Sequence, residues 1–374
     1  MRVAILHDWL FVDGGAEQVL RALLKCYPEA EIFTVFDQLQ PDLRKEIIGG
    51  RSTMSSPLNK LPGVSQYYRW LLPLYPWAVS RLNVAKFDLI VSSSYAAVKN
   101  ITIRPGQVHL CYCHSPMRYA WDLRDTYLEE VPKLLRPLAR WILDRLRRWD
   151  EKGAQKVTAF AANSKYVANR IERAYNRTAT VIYPPVNAPI NLNHAHNSEQ
   201  RPTEPYFITA SRLVPYKNID CIVRAFALRP SQTLVVLGDG PELQNLQKIA
   251  TPNVIFKGFV TRSEWAHYLT GALAFIAAAV EDFGLTPVEA SGAGIPVLAL
   301  REGGYLETVI DGKSGLFFET PRAESIALCM DRFREEGVAW DAAQCRAHAA
   351  KFRPDVFYRT FQEWAEFSIA EDSK

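Results

Sequence analysis

The stretch LAFIAAAVEDFGLTPVEASGAGIPVLAL, residues 273–300, holds an apolar run, a polar loop rich in glycine and proline, a helix-length segment and a second apolar run. That succession is one strand–helix–strand unit, the building block of a parallel sheet. Pro287 sits where a helix can start, because proline lacks the amide that would be unpaired there. The pattern therefore puts Glu281 at a strand end and Glu289, eight positions on, in the first turn of the following helix. In doubly wound sheets ligands bind beyond the carboxyl ends of the strands, where helix amino termini turn N–H groups outward. Gly284 lets main chain approach a ligand, and the amides of Phe283, Gly284, Leu285 and Thr286 can donate to hydroxyls or phosphate. A carboxylate there suits the vicinal hydroxyls of a sugar or ribose. A helix-capping glutamate beside a solvated one is the alternative these residues leave open.

The same rhythm runs outward in both directions. YFITAS, TLVVLG and VIFKG precede the quoted stretch, each followed by a helix candidate such as NIDCIVRAFALR, PELQNLQKI or RSEWAHYL. Earlier in the chain, VAIL, FDLIVSSS, VHLCYCH and VTAFAANS alternate with AEQVLRALLKCY, a helix around 133–153 and KYVANRIERAY. Between the two series, residues 183–205 contain five prolines and no apolar period, the composition of a surface linker. At 374 residues the chain exceeds one ordinary core. The expected fold class is α/β, with two Rossmann-like domains facing each other across a cleft: residues 1–185, a linker 186–205, a domain 206–354, and a terminal helix 355–374 packing on one or both domains.

Bulk composition narrows the function classes. Hydrophobic residues make up 48%, charged residues 22%, and the net charge is +4, which is globular chemistry rather than the balance of a nucleic-acid coat. No nucleic-acid partner is expected. The amino terminus MRVAILHDWL reads as a strand, not a signal peptide, and no apolar run reaches the roughly 20 residues needed to span a bilayer. The six cysteines are scattered, and Cys111 and Cys113 read as buried thiols on one strand face rather than a metal pair with His114. A cytoplasmic location is expected.

Further candidates lie at other strand ends. In SRLVPYKN, Arg212 and Lys217 follow the first strand of the second half, where a guanidinium and an ammonium can neutralise a diphosphate; a solvated turn is the alternative. Gly238 begins a tight turn with Asp239 and Gly240. In HDWLFVDGGAEQ, Gly14 and Gly15 open the first helix and permit close backbone approach. His114 ends the strand VHLCYCH and offers a polar contact, or is a satisfied buried histidine. The chain holds no Asp-x-Asp, HExxH, GxxxxGK[ST] or GxGxxG, so neither a bound divalent ion, a P-loop nor a nicotinamide fold is indicated. No cofactor and no metal are expected.

Taken in order, strand-GG-helix, His114, SRLxxxKN and E-x7-E resemble the retaining family 4 glycosyltransferases of GT-B fold, over nearly the whole chain. EDFGLTPVEASGAGIPVLAL is similar to that family's donor signature, and GGYLETVIDGKSGLFF to its continuation. The resemblance implies that Glu289 accepts from the ribose hydroxyls of a sugar nucleotide, Glu281 contacts the transferred hexose, and Arg212 and Lys217 hold the diphosphate. It also implies backbone donation from Phe283, Gly284 and Leu285, approach of Gly15 to phosphate, contact of His114 with the sugar, and domain closure about the linker. ILHDWL, CYCHSPMRYAWD and VIYPPV resemble bacterial mannosyltransferases that build O-antigen and exopolysaccharide repeats from GDP-mannose. Arg118, Tyr119, Trp121 and Asp122 in that second motif are candidates for the acceptor side.

The implied partners are a sugar nucleotide and a lipid-diphosphate-linked saccharide. Residues 67–83, YYRWLLPLYPWAVSRLN, concentrate aromatics and prolines, and residues 131–156 carry eight basic against three acidic side chains. Both suit peripheral contact with the cytoplasmic leaflet, or are core aromatics and a solvated helix face. Alternatives are a UDP-hexose or another GDP-sugar as donor, a sugar-nucleotide epimerase of similar fold, and an inactive glycosyltransferase-like binding subunit.

Overall fold

The computed structural model describes residues 1–122, 124–188, 202, 204–335 and 340–372. The chain divides into two compact units, Met1–Pro185 with Pro354–Lys374, and Val186–Arg353. Of the expected linker, 189–201 and 203 lie outside the described residues. Residues 186–188 are tied to the second unit: Val186 N donates to Phe352 O at 2.7 Å, and Asn187 O accepts from Arg262 Nη2 at 2.6 Å.

The first unit is built on seven parallel strands: β1 (Val3–Leu10), β2 (Glu31–Asp37), β3 (Thr53–Ser55), β4 (Leu89–Ser94), β5 (Val108–Cys113), β6 (Ala159–Ala162) and β7 (Thr180–Val181). Their order is β3-β2-β1-β4-β5-β6-β7, so the chain reverses its direction of growth between β1 and β4. That is a topological switch point, where the carboxyl ends of two adjacent strands diverge into loops running opposite ways. The helix Gly15–Cys26 buries Val19, Leu20 and Leu23 on the sheet. The terminal helix Pro354–Asp372 joins the same cluster through Phe357, Phe361 and Trp364, with Phe357 edge-on to Tyr112 at 5.7 Å. It is thus part of the first unit. The helix expected around 133–153 is a 3-10 turn Lys133–Leu135 followed by a helix Arg136–Ala154, as Pro137 favours the first turn.

The second unit has six parallel strands: β8 (Tyr206–Ala210), β9 (Leu234–Leu237), β10 (Val254–Gly258), β11 (Ala272–Ala277), β12 (Val297–Leu300) and β13 (Gly315–Phe318). The order β10-β9-β8-β11-β12-β13 puts its switch point between β8 and β11. All its strands are fully or largely buried except β10, at the edge. Runs buried on both faces are what a parallel sheet covered by helices requires. Local signals agree with the layers: Thr261 and Glu264 form a capping box that opens the helix Arg262–Leu269.

Candidate active site

At the second unit's switch point, the loop after β8 carries Arg212 and Lys217 and the loop after β11 carries Glu281. These are neighbouring strands, so residues 64 positions apart meet: the Lys217 ammonium is paired with the Glu281 carboxylate. Asn218 braces the same junction by donating to Ala278 O at 2.9 Å. Both charged side chains are about four-fifths buried, and the pair holds a cation and an acceptor side by side at the strand ends. Arg212 is exposed and its guanidinium has no partner among the described residues.

The turn Gly238–Gly240 supports that arginine from behind. Gly238 has φ +120°, and a Cβ there would lie 1.9 Å from Ser211 O. Only glycine lets the two loops touch, after which Leu213 N donates to Asp239 O at 2.9 Å. Gly238 therefore acts on the site through the backbone that carries Arg212.

Beyond β11 two sequence expectations are corrected. Glu281 lies in the loop, four residues past the strand, and the helix Leu285–Gly292 starts before Pro287. Pro287 occupies the third helical position, whose amide has no partner within the helix either. Glu289 is consequently in the second turn, with its Oε1 4.0 Å from Arg262 Nη2 and its side chain 14% exposed. Gly284 is the N-cap at φ +92°, and Phe283 turns its ring inward against Phe352 at 5.3 Å, leaving main chain for a ligand. Leu285 and Thr286 are half-buried in the first turn.

Sequence reasoning missed the brace for this loop. Gly304 N donates to Glu281 O at 2.8 Å, and a Cβ on Gly303 would fall 2.5 Å from Glu281 O. The Tyr305 ring, 3% exposed, fills the space beside Gly284. Burial, and then the Glu281 charge, push its phenol pKa well above the ordinary value.

In the first unit, Gly14 is the extended N-cap of the helix Gly15–Cys26, and its N donates to Glu17 Oε2 at 3.0 Å. A Cβ on Gly14 would crowd that oxygen at 2.9 Å, while Gly15 is the first helical residue. His114 follows β5, is 9% exposed, and contacts Ser93 Oγ through Nε2 at 2.8 Å. Burial, with a smaller contribution from His7, lowers its pKa to about 3, so the ring is neutral at physiological pH.

Asp8 was also missed. Wholly buried at the end of β1, it accepts from the main-chain N of Tyr95, Ala96, Ala97 and Val98 at 2.6–2.8 Å and from Ser94 Oγ at 3.1 Å. A charge inside an apolar strand signals such pairing. Its carboxylate freezes the loop after β4, beside the first switch point.

Of the acceptor-side candidates, Trp121 and Asp122 have internal partners. The Trp121 indole donates to the buried Asp150 at 2.9 Å and lies under the Arg147 guanidinium, and Asp122 is paired with Arg170. Tyr119 packs edge-on to Tyr127 at 4.9 Å, with burial raising its phenol pKa, and Arg118 is half-buried. Cys111 and Cys113 are buried free thiols.

Two family profiles together span most of the chain: "Glycosyltransferase Family 4" matches residues 13–188 and "Glycosyl transferases group 1" matches residues 193–351. This chain is a family 4 glycosyltransferase. Among curated relatives of this glycosyltransferase, a GDP-mannose-dependent alpha-(1-6)-phosphatidylinositol monomannoside mannosyltransferase of Mycobacterium tuberculosis is 31% identical over 60% of this chain and 66% of its own. An alpha-1,3/1,6-mannosyltransferase of Schizosaccharomyces pombe is 24% identical over 84% of this chain and 70% of its own. The match thus spans just under two thirds of the mycobacterial relative's length. Anabaena HepE in complex with UDP-glucose superposes with a TM-score of 0.69 at 18% identity, covering 98% of this chain and 100% of that one. Sucrose-phosphate synthase from Thermosynechococcus elongatus does so at 0.70 and 17%, covering 99% and 100%. The glycosyltransferase therefore has the GT-B fold, two Rossmann-like halves.

Proposed function

We propose that this chain is a retaining hexosyltransferase that moves α-mannose from GDP-mannose to a lipid-diphosphate-linked saccharide in bacterial surface-polysaccharide synthesis, without a metal ion. The observation that carries the proposal is the pairing of Lys217 with Glu281 at the β8/β11 switch point, beside the Gly284 N-cap and Arg212, whose guanidinium has no partner among the described residues. A cation, an acceptor and outward amides at one strand end are what a sugar diphosphate needs. The choice of mannose and guanine rests on the mannosyltransferase relatives, two of whose names specify mannose and one GDP-mannose.

The mechanism follows from charge. As the bond between the anomeric carbon and the diphosphate oxygen breaks, negative charge grows on the leaving group. Arg212, Lys217 and the amides of residues 283–286 stabilise it where it develops. Lys217 thereby supplies charge that a divalent ion supplies in other transferases. The acceptor hydroxyl forms the new bond on the same face, and its proton passes to the departing phosphate oxygen. Glu281 would hold the hexose, Glu289 the ribose hydroxyls, and His114 the sugar near the reacting carbon.

Exposed side chains on the first unit support a lipid-borne acceptor. Leu134, Leu135, Leu138 and Trp141 are exposed, as are Lys133, Arg140, Arg145 and Arg148. Trp70, Leu74 and Trp77 are exposed nearby in sequence to Leu72, which packs on the cluster of Leu143 and Leu146. Exposed apolar side chains among cations suit an anionic membrane face. Among the described residues no helix is long and apolar enough to cross a membrane.

The test is turnover by purified protein of GDP-mannose, UDP-glucose and other GDP-sugars, with a lipid-diphosphate saccharide in vesicles with and without anionic lipid. Mannosyl transfer from GDP-mannose, enhanced by anionic vesicles, is expected. Preference for another donor replaces the substrate assignment, product formed without acceptor supports an epimerase, and no turnover with any donor overturns the proposal.

A further inference from the structure

Glu17, His7, Ser93 and His114 form an unbroken line in the first unit, at the amino end of the helix Gly15–Cys26 and the carboxyl ends of β1, β4 and β5. Glu17 Oε1 lies 3.4 Å from His7 Nε2, His7 Nδ1 lies 3.1 Å from Ser93 Oγ, and Ser93 Oγ lies 2.8 Å from His114 Nε2. All four residues are at most 9% exposed. The backbone fixes the far end: His114 N donates to Ser94 O at 2.9 Å, and Asn163 Nδ2 donates to His114 O at 3.1 Å. The Tyr95 ring stands edge-on to both imidazoles, 5.9 Å from each.

We infer that this chain is directional, and that it presents His114 to its substrate as a neutral hydrogen-bond acceptor at Nδ1. A carboxylate only accepts, and Glu17 already accepts the Gly14 amide at its other oxygen. A neutral His7 ring then carries its proton on Nε2, which leaves Nδ1 as a lone pair. The Ser93 hydroxyl donates its single proton to that lone pair. Ser93 Oγ can then only accept from His114, so the His114 proton sits on Nε2. The remaining nitrogen, Nδ1, has no partner among the described residues. A bare lone pair attracts an O–H and repels a phosphate oxygen, so His114 reads a sugar hydroxyl and not the diphosphate.

Glu17, His7 and Ser93 are positioning residues under this inference, which rests on the proposed role of His114 at the sugar. They set which ring nitrogen is protonated, as outer partners do for other functional imidazoles. Glu17 is placed for this by the helix start, because a side chain on Gly14 would crowd its carboxylate.

The direct test is nitrogen-15 NMR of histidine-labelled protein without ligand, with resonances assigned by His7→Gln and His114→Gln. His7 and His114 are both expected as neutral Nε2–H tautomers. A doubly protonated His7, or a His114 proton on Nδ1, overturns the inference whatever the enzyme's substrate. The kinetic arm uses Glu17→Gln, which keeps the shape but can face His7 with a donor or an acceptor, and Ser93→Ala with Ser93→Thr as rescue. Glu17→Gln and Ser93→Ala should lower kcat about tenfold, the scale of one net hydrogen bond, and redistribute the His114 tautomer while GDP affinity stays unchanged. Ser93→Thr should restore both. Unchanged kcat in folded Glu17→Gln and Ser93→Ala overturns the positioning role. Full activity of His114→Gln, with the tautomers as expected, overturns the assignment of His114 to the sugar and leaves the chain's direction standing.

Discussion

Gly284→Ala is the substitution whose cost can be worked most completely from the structure. Gly284 has φ +92° and ψ +69°, and a Cβ there would stand 2.6 Å from Tyr305 Cε1 and 2.9 Å from Cδ1. The left-handed conformation costs a side-chain-bearing residue about 1–2 kcal/mol. The clash cannot be relieved by swinging the ring outward, because Tyr305 is 3% exposed and its neighbours Gly303 and Gly304 abut Glu281 and Phe283. Overpacking of this kind costs about 1–3 kcal/mol, for about 2–5 kcal/mol in all. At about 2–4 °C per kcal/mol for a unit of this size, the melting temperature falls by roughly 4–20 °C. Tyr305→Ala opens space and removes only the steric part, so the double variant should show a coupling of about 1–3 kcal/mol. Thermal and urea unfolding followed by circular dichroism, with donor KM measured below the transition, give all the quantities. KM should rise about tenfold or more as the amides of residues 283–286 move, on the scale of one or more net hydrogen bonds. A melting temperature within about 1 °C of wild type, or strict additivity of the two substitutions, would refute the reasoning.

Lys217→Ala should lower kcat by at least about tenfold and toward the hundredfold to thousandfold typical of a lost oxyanion donor; kcat within twofold of wild type in a GDP-release assay would count against the diphosphate role. His109 and His114 have pKa values lowered to about 3 by burial, with His7 adding to the shift at His114. The unfolded chain binds these protons near pH 6.5 and the folded one does not, so their stabilisation is complete above about 6.5 and is lost as pH falls towards 3, by about 1.4 kcal/mol per pH unit for each. Urea midpoints at pH 7.5 and 5.5 should show the decline, and removing His109 should flatten it; equal slopes would contradict the burial effect. Asp8→Asn puts an amide where five donors converge on a carboxylate and should cost about 3–5 kcal/mol; a loss in urea stability below about 1 kcal/mol would show that the loop after β4 re-forms its bonds elsewhere.

The sheets were legible wherever a strand is a continuous apolar run. YFITAS, LAFIAAA, TLVVLG and IPVLAL lie on strands because both faces of a covered parallel sheet exclude water, and the loops after YFITAS and LAFIAAA then locate Arg212, Lys217 and Glu281. β2 and β13 were missed, since EIFTVFD has acids at both ends and GLFF is only four residues long. The start of the helix at Leu285 was misplaced because proline tolerates any position in the first turn. The Lys217–Glu281 pair was invisible for a different reason: it needs the adjacency of β8 and β11, a property of strand order. His7 and Asp8 lie inside the strand read from MRVAILHDWL, and polar side chains within an apolar strand imply buried partners, whereas Glu17, on the following helix, carries no such signal. That signal was present in HDW and depends only on the cost of burying a charge.

The most direct test of the account is calorimetric titration of GDP into the wild-type protein and into the Arg212→Ala/Lys217→Ala double variant, in chelator. Wild type should bind in chelator, and the variant about a hundredfold or more weaker, as expected for the loss of two charge-assisted contacts to a diphosphate. Equal affinities, or wild-type binding that appears only when a divalent ion is restored, would contradict the claim that these two cations hold the donor's diphosphate.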